Sequence, residues 1–517
     1  MARRSLKYNA AVLTVTGFLV KAIGFFYRVF IANSIGSEGL GLYQLVTPIY
    51  SLLVLVLSAG ISVAVSRFVA EETSRRLSHR AAKIASLSAG LVLIGGIIVC
   101  GILVLNLDLV LSLTGDERTR DSLLWILAFV PPIAAASAFK GYFYGREEMI
   151  PNAAGQILEQ IAKLAVIILL FDRFKGQGVA NMCLLAVIAM LAGECANVLV
   201  VLILFLFAKP RRKGLNARER TMPVIKKICR TAIPISTNRL VLSAIGTAEN
   251  LLIPQMLVLY GLTMQDSLKA LGRLSGMASP LVFFPSMLPG ALATALVPAI
   301  AGAVASRQFS VANRQISQSI RLTLTMGLIF TSFFACCSYE LAELVYPGKE
   351  VGGILHLLSY TGVFLYLQQT MLGILNGLAQ EKSILVNTLA GSVVRLLVIW
   401  LGMPVMGIDA YIYSVIAGSI LTVSLNFRKI SKITGMAVDM GEWLLKPLSA
   451  ALLGALAALI LKQLPALLHM PRKIEMLASI AIAFGTISAA FLLTGIVKGE
   501  DLKRWAGKNK FNVYEIL

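Results

Sequence analysis

Apolar runs of about 20 residues recur along the whole chain, each long enough to cross roughly 30 Å of hydrocarbon. Short connections rich in Lys, Arg, Gly and Pro separate them. The pattern predicts fourteen spans, near 10–33, 40–66, 84–107, 122–143, 153–171, 179–208, 231–260, 274–304, 315–338, 353–377, 384–401, 408–426, 443–464 and 476–497. The longest connection, 209–230, is too short for a separate soluble domain. The opening "MARRSLKYNAAVLTV" has the basic flank of a signal peptide. Its apolar stretch runs on too far and lacks an A-x-A site, so it reads as the first span.

Charge placement tests this count. With the N-terminus in the cytoplasm, 32 of the 47 Lys and Arg residues fall in cytoplasmic segments and 10 in outer ones. The remaining five, Lys21, Arg28, Lys163, Arg239 and Arg395, lie deep within spans. That asymmetry follows the positive-inside rule and puts both termini in the cytoplasm. It accounts for the net charge of +21 without nucleic acid as a partner. Composition agrees: 57% of residues are hydrophobic, 14% are charged, and mean hydropathy is +0.80.

A shift of 232 residues superposes Pro48 on Pro280, Gly141 and Gly145 on Gly373 and Gly377, and Lys163 on Arg395. This predicts an all-α polytopic membrane protein of two pseudo-symmetric six-helix lobes plus two extra C-terminal helices. The N-terminal lobe is 1–208, the basic cytoplasmic linker 209–230, the C-terminal lobe 231–427, and 428–517 holds the last two spans and a basic tail. Repeats of this kind are common in transporters.

Candidate chemistry lies on a few polar stripes. Thr14, Gly17, Lys21, Gly24 and Arg28 follow one face of the first span at helical period. Lys21 and Arg28 are two turns apart, about 10.5 Å. The seventh span repeats the pattern with Ser236, Arg239, Ser243, Gly246 and Asn250, with Glu249 beside the stripe. The second contributes Gln44, Thr47, Ser51, Ser58 and Ser62, and the tenth Tyr366, Gln369, Gly373 and Asn376. A water-filled cavity accounts for all of these; small-residue packing accounts for part. Lys21, Arg28, Arg239 and Arg273 against Glu249 make that cavity positive, suited to an anion such as a diphosphate. Glu159 and Lys163 form an i,i+4 pair that reads as structural. Glu249 is a candidate protonation or Na⁺ site, or the partner of Arg239.

Six cysteines and three isolated histidines show no metal-ligand spacing, so they predict no metal site. No phosphate-binding loop and no nucleophile elbow occurs, so no catalytic residue, cofactor or ATP hydrolysis is expected. Short outer connections, with only Glu340, Glu343 and Glu350 across 338–353, argue against a membrane-embedded glycan polymerase or ligase.

The stretches "GFLVKAIGFFYRVFIANSIGSEGLGLYQLVTPIYSLL", "GYFYGREEMIPNAAGQILEQ" and "GRLSGMASPLVFFPSMLPGALATALVPAIA" resemble the stage V sporulation protein B branch of the MOP flippase superfamily. That superfamily also holds the lipid II flippases and the MATE exporters. The resemblance covers essentially the whole chain. It implies alternating access for an undecaprenyl diphosphate-linked saccharide, with peptidoglycan precursor for spore cortex the nearest fit. Membrane lipids and cell-wall synthesis enzymes are the implied partners, and the plasma membrane, forespore-associated or not, the implied location. Lys21 stands at a cavity arginine of the lipid II flippases, while Arg28 is one residue out of register with a second. Arg273 matches the arginine opening their eighth helix, but Gly276 replaces its acidic partner and Leu52 another arginine. In the resulting site Lys21, Arg28, Arg239 and Arg273 hold the diphosphate, and Asn250, Gln369 and Asn376 bond sugar or peptide. The alternatives are a flippase for another lipid-linked polysaccharide and a MATE-like, ion-coupled exporter of small molecules. The exporter would need acidic residues to dominate the cavity.

Overall fold

A computed structural model describes residues 6–75, 77–208, 221–435, 441–468 and 471–496. The described residues form helices and no strand. In chain order these are α1 (Leu6–Ser74), α2 (Ser78–Leu105), α3 (Leu107–Thr114), α4 (Arg120–Gly145), α5 (Ile150–Phe174), α6 (Val179–Ala208) and α7 (Thr221–Leu259). There follow α8 (Met264–Leu271), α9 (Ser279–Phe283), α10 (Met287–Ala305), α11 (Phe309–Val345), α12 (Gly352–Ser359) and α13 (Gly362–Gly377). The chain continues through α14 (Glu381–Met406), α15 (Ile408–Thr434), α16 (Lys446–Leu461), α17 (Leu464–Leu467) and α18 (Arg472–Leu493).

Twelve helical stretches among the described residues are long and apolar enough to cross a membrane. The fourteen expected spans are recovered by two local details. The stretch Val15–Ser74 is counted once, yet Gly36, at φ 74° and ψ 175°, breaks α1 into two arms. Only glycine adopts that backbone region readily. The tenth span is divided into α12 and the 16-residue α13, too short alone to be counted.

Residues Met1–Gln255 with Met264–Gly272 form one compact unit, and Met256–Thr263 with Arg273–Leu517 the other. Most of α7, expected to open the C-terminal lobe, is thus grouped with the first unit. Within that unit the Thr247 hydroxyl donates to the Pro48 carbonyl at 3.4 Å. Residues 209–220 of the expected linker and 497–517 of the tail lie outside the described residues.

The two units repeat the same helix contacts. In the first, a Cβ at Gly141 of α4 would lie 2.6 Å from the Ser62 carbonyl oxygen of α1. In the second, a Cβ at Gly373 of α13 would lie 2.5 Å from the Ala293 carbonyl oxygen of α10. Gly96 of α2 meets the Pro131 backbone of α4, as Gly327 of α11 meets that of Val363 of α13. Each partner pair is related by 231 or 232 residues. The stem of Lys163 on α5 lies across Gly193 of α6, and that of Arg395 on α14 across Gly418 of α15. The offset seen in the sequence is therefore an offset of packing, as two pseudo-symmetric halves require. In the second half α16 and α18 also join the α11–α13 core through Ala450, Ala451, Ile487 and Phe491.

Close backbone approach leaves no room for a side chain at these glycines. Gly373→Val is expected to destabilise the protein by about 1–3 kcal/mol, the usual overpacking penalty. Thermal unfolding in detergent checks this, with Gly302→Val, where nothing lies within 4 Å, as the neutral comparison.

Segments predicted to share a membrane side are joined to one another. Glu38, at the start of the second arm of α1, is buried. It accepts from Arg118 Nη1 at 2.7 Å and from Gln265 Nε2 at 2.9 Å. Arg118 also binds Asp116 through Nε and Nη2. All three connections were assigned outward. Asn313 Nδ2 likewise donates to the Thr434 carbonyl at 2.6 Å, joining two connections expected inside.

Candidate functional site

The first arm of α1 presents three distinct sectors. At about 100° per residue, Thr16, Tyr27 and Ile31 lie together, and all three are buried. Val15, Phe18, Leu19, Phe26 and Phe30 form a broad exposed apolar sector on another side. Gly17, Lys21, Gly24 and Arg28 occupy the remaining side, with both cations exposed. Lys21 and Arg28 make no hydrogen bond or ion pair with a described residue. A Cβ at Gly17 would meet nothing within 4 Å, whereas one at Gly24 would lie 3.6 Å from Gln160 Oε1 of α5. The phenylalanine sector suits hydrocarbon. Cations near a bilayer centre do not, so the other sector calls for water or an anion.

Helix α7 shows the same division. Arg239 is exposed, and Ser243, Gly246 and Asn250 on its side are half-buried. Nothing lies within 4 Å of a Cβ at Gly246. Val241 and Val258 are exposed on a different side. Asn250 Nδ2 donates to the Gly246 carbonyl of its own helix at 2.9 Å, which leaves its oxygen available. Glu249 is buried, at the edge of the stripe. The side chains of Thr14 and Ser236 lie outside the described residues.

Arg273, Gln369 and Asn376 belong to the second unit. Arg273 lies in a π-helical turn, Gly272–Ala278, and pairs with Glu350 at 2.9 Å. Glu350 comes from the loop after α11, and its side chain is largely exposed. On α13, Asn376 is exposed and Gln369 half-buried. The other two members of that stripe serve packing. The Tyr366 hydroxyl donates to the Val282 carbonyl at 2.6 Å, and Gly373 lies on Ala293. On α1, Thr47 and Ser58 donate to the carbonyls of Tyr43 and Val54, four residues back.

A buried polar group beyond these stripes centres on α5 and α6. Lys163 Nζ donates to Glu159 Oε1 at 2.5 Å, and Asn197 Nδ2 to Glu159 Oε2 at 2.8 Å. Glu194 of α6, half-buried, stands one turn before Asn197 on the same helix. The i,i+4 pair is thus joined to α6 through Asn197. The signal for Glu194 was a lone acid in the otherwise apolar run "AMLAGECANVLVV". No group of three metal-ligating side chains occurs among the described residues.

Comparison with known proteins agrees with this architecture. The family model "Polysaccharide biosynthesis protein" matches residues 6–304. Stage V sporulation protein B of Bacillus subtilis (strain 168) is 26% identical over 451 residues, covering 86% of this chain and 87% of that one. The lipid II flippase MurJ of the same organism is 23% identical over 469 residues, 82% of each chain. Among solved structures, lipid II flippase MurJ in an inward closed conformation matches with TM-score 0.66 at 13% identity, covering 93% of this chain and 99% of that one. An inward-facing MATE transporter of the MOP superfamily matches with TM-score 0.65 at 15% identity, covering 81% and 94%. The chain is a multi-pass membrane protein with the MOP-superfamily transporter fold, and it belongs to the polysaccharide biosynthesis protein family.

Proposed function

We propose that this protein is a flippase, not an enzyme. It moves an undecaprenyl diphosphate-linked saccharide, a peptidoglycan precursor of the lipid II type, across the plasma membrane by alternating access. The observation that carries this reading is the exposed cationic sector of α1, set apart from the exposed phenylalanines of the same helix. A membrane helix keeps cations there for an anion, and a diphosphate accepts several charge-assisted hydrogen bonds at once. Lys21, Arg28 and Arg239 would bind it, with Arg273 joining on release from Glu350. Asn250, Gln369 and Asn376 would bond the sugar or peptide. Alternating access would open that site to each side of the membrane in turn, both termini facing the cytoplasm. The names of the relatives that include stage V sporulation protein B and MurJ support the substrate class, and the former suggests spore cortex. A MATE-like exporter of cations fits the sign of these stripes poorly, since only Glu249 offers a negative charge on them.

Purified protein in proteoliposomes should translocate fluorescent lipid II faster than protein-free vesicles. Lipid-linked saccharides of other composition, compared side by side, define the head group preferred. Equal rates with and without protein for every lipid-linked diphosphate, or export of organic cations instead, would refute the flippase reading.

A further inference from the structure

Helix α5 presents Leu158, Ile161, Ile168 and Leu169 on one side, all exposed, as a lipid-facing side requires. At about 100° per residue, Gln156, Glu159, Gln160 and Lys163 fall on the opposite side. The two ions there satisfy one another and Asn197 of α6. Lys163 Nζ donates to Glu159 Oε1 at 2.5 Å, and Asn197 Nδ2 to Glu159 Oε2 at 2.8 Å. The two amides differ. Gln156 and Gln160 are half-buried and make no hydrogen bond with a described residue. A carboxamide held within a membrane span without a partner is costly, so this pair calls for water or a ligand.

Gln160 is the amide that reaches the cationic sector of α1. Gly17, Lys21, Gly24 and Arg28 fall within about 60° of one another around that helix. Gly24 stands between the cations, about 4.5 Å along the axis from Lys21 and about 6 Å from Arg28. The direction of a Cβ at Gly24 is therefore the direction in which the stripe projects. Gln160 Oε1 lies 3.6 Å from that position and Cδ 3.9 Å. Its Nε2 is farther than 4 Å, so the amide meets α1 through its oxygen and leaves its N–H groups unused. We propose that Gln160 is a further binding residue of this site, and that Nε2 donates to an oxygen of the diphosphate held by Lys21 and Arg28. The assignment rests on the anion-binding reading of those two cations. A neutral donor placed between them adds a charge-assisted hydrogen bond without adding charge. It also bridges the axial gap of about 10.5 Å that separates them.

Translocation of fluorescent lipid II in proteoliposomes, followed across a range of lipid II mole fractions, separates binding from turnover. Gln160→Met keeps the length of the side chain and removes the donor. It should raise the half-saturating mole fraction about 10- to 100-fold, the loss expected for one hydrogen bond to a charged group. The maximal rate should stay near the parent's, as for a contact made equally before and during translocation. Gln160→Glu should bind more weakly still, because it sets a carboxylate against the diphosphate. Gln160→Asn keeps the amide one methylene short and should fall between the parent and Gln160→Met. Inorganic diphosphate should raise the unfolding temperature of the detergent-solubilised parent, and do so less for Gln160→Met. An unmoved half-saturating mole fraction in Gln160→Met or, should that variant not fold, in Gln160→Asn would overturn the role of Gln160 and leave the flippase reading intact. A loss confined to the maximal rate, or parent-like binding by Gln160→Glu, would do the same. If no form translocates any lipid-linked diphosphate while inorganic diphosphate still stabilises the parent through Gln160, the flippase reading falls and the binding residue stands. Neither translocation nor stabilisation refutes both.

Discussion

Lys21→Ala is expected to slow flipping by about 10- to 100-fold while the protein still folds and inserts. The magnitude follows from one charge-assisted contact to the diphosphate, worth about 1.5–3 kcal/mol. Lys21 is exposed and without a hydrogen bond or ion pair among the described residues, so its removal strands no partner. Taking a cation out of a membrane helix also lowers an insertion penalty, so stability should be equal or greater. Lys21→Arg keeps the charge and should retain part of the activity, because a planar fork replaces a compact donor imperfectly. Lys21→Gln keeps a polar group of similar reach and should behave like Lys21→Ala. Translocation of fluorescent lipid II at matched protein density, with thermal unfolding of each variant, makes the comparison. Normal flipping by Lys21→Gln would mean that the stripe serves hydration or snorkelling, and the anion-binding role would fall.

The spans were legible because a membrane helix announces itself by hydropathy over 20 residues, independent of its neighbours. The connection between the first two spans, within which Gly36 breaks α1, was legible too, and so was the repeat offset, since its glycines mark where backbones meet. The stripe on α1 could be projected from the sequence. That its cations and its phenylalanines face different exposed sides needed coordinates, because the sequence does not show which third side is buried. Burial by Thr16, Tyr27 and Ile31 separates them. Tyr366 and Gly373 looked like cavity residues on the same periodicity, yet their partners are Val282 and Ala293. Periodicity finds a side of a helix and does not say what occupies it. Asn197 was passed over because its partner Glu159 stands on another helix. The Glu38 cluster was hidden in the same way, since Arg118 and Gln265 stand 80 and 227 residues further on.

The contact around Glu38 carries the largest structural prediction. Ser37 and Gly41 of α1 lie against Leu268 and Gly272, so that small residues four apart meet backbone. A Cβ at Gly41 would run into the Leu268 carbonyl, and one at Gly272 into the Ser37 carbonyl and, at 2.9 Å, the Gly41 nitrogen. Small-xxx-small pairs of this kind allow the close approach on which membrane helix packing depends. Gly272→Val has only backbone to push against, and backbone in a helix does not yield as a side-chain tip would. It should lose about 1–3 kcal/mol or more of stability. Opening that seam also separates Gln265 from Glu38, leaving a buried carboxylate with Arg118 alone. Arg118→Ala should matter less than Gly272→Val. Its side chain is 37% exposed, and Gln265 still bonds Glu38 when it is removed, whereas Gly272→Val loses packing and that bond together. Thermal unfolding in detergent should rank Gly272→Val well below Arg118→Ala, with Gly246→Val near the parent. Cysteines replacing Glu38 and Gln265 should be joined by a short bismaleimide in the parent and escape it when Gly272→Val is added. Undiminished stability and undiminished cross-linking in Gly272→Val would show that the two backbones do not approach this closely in the membrane.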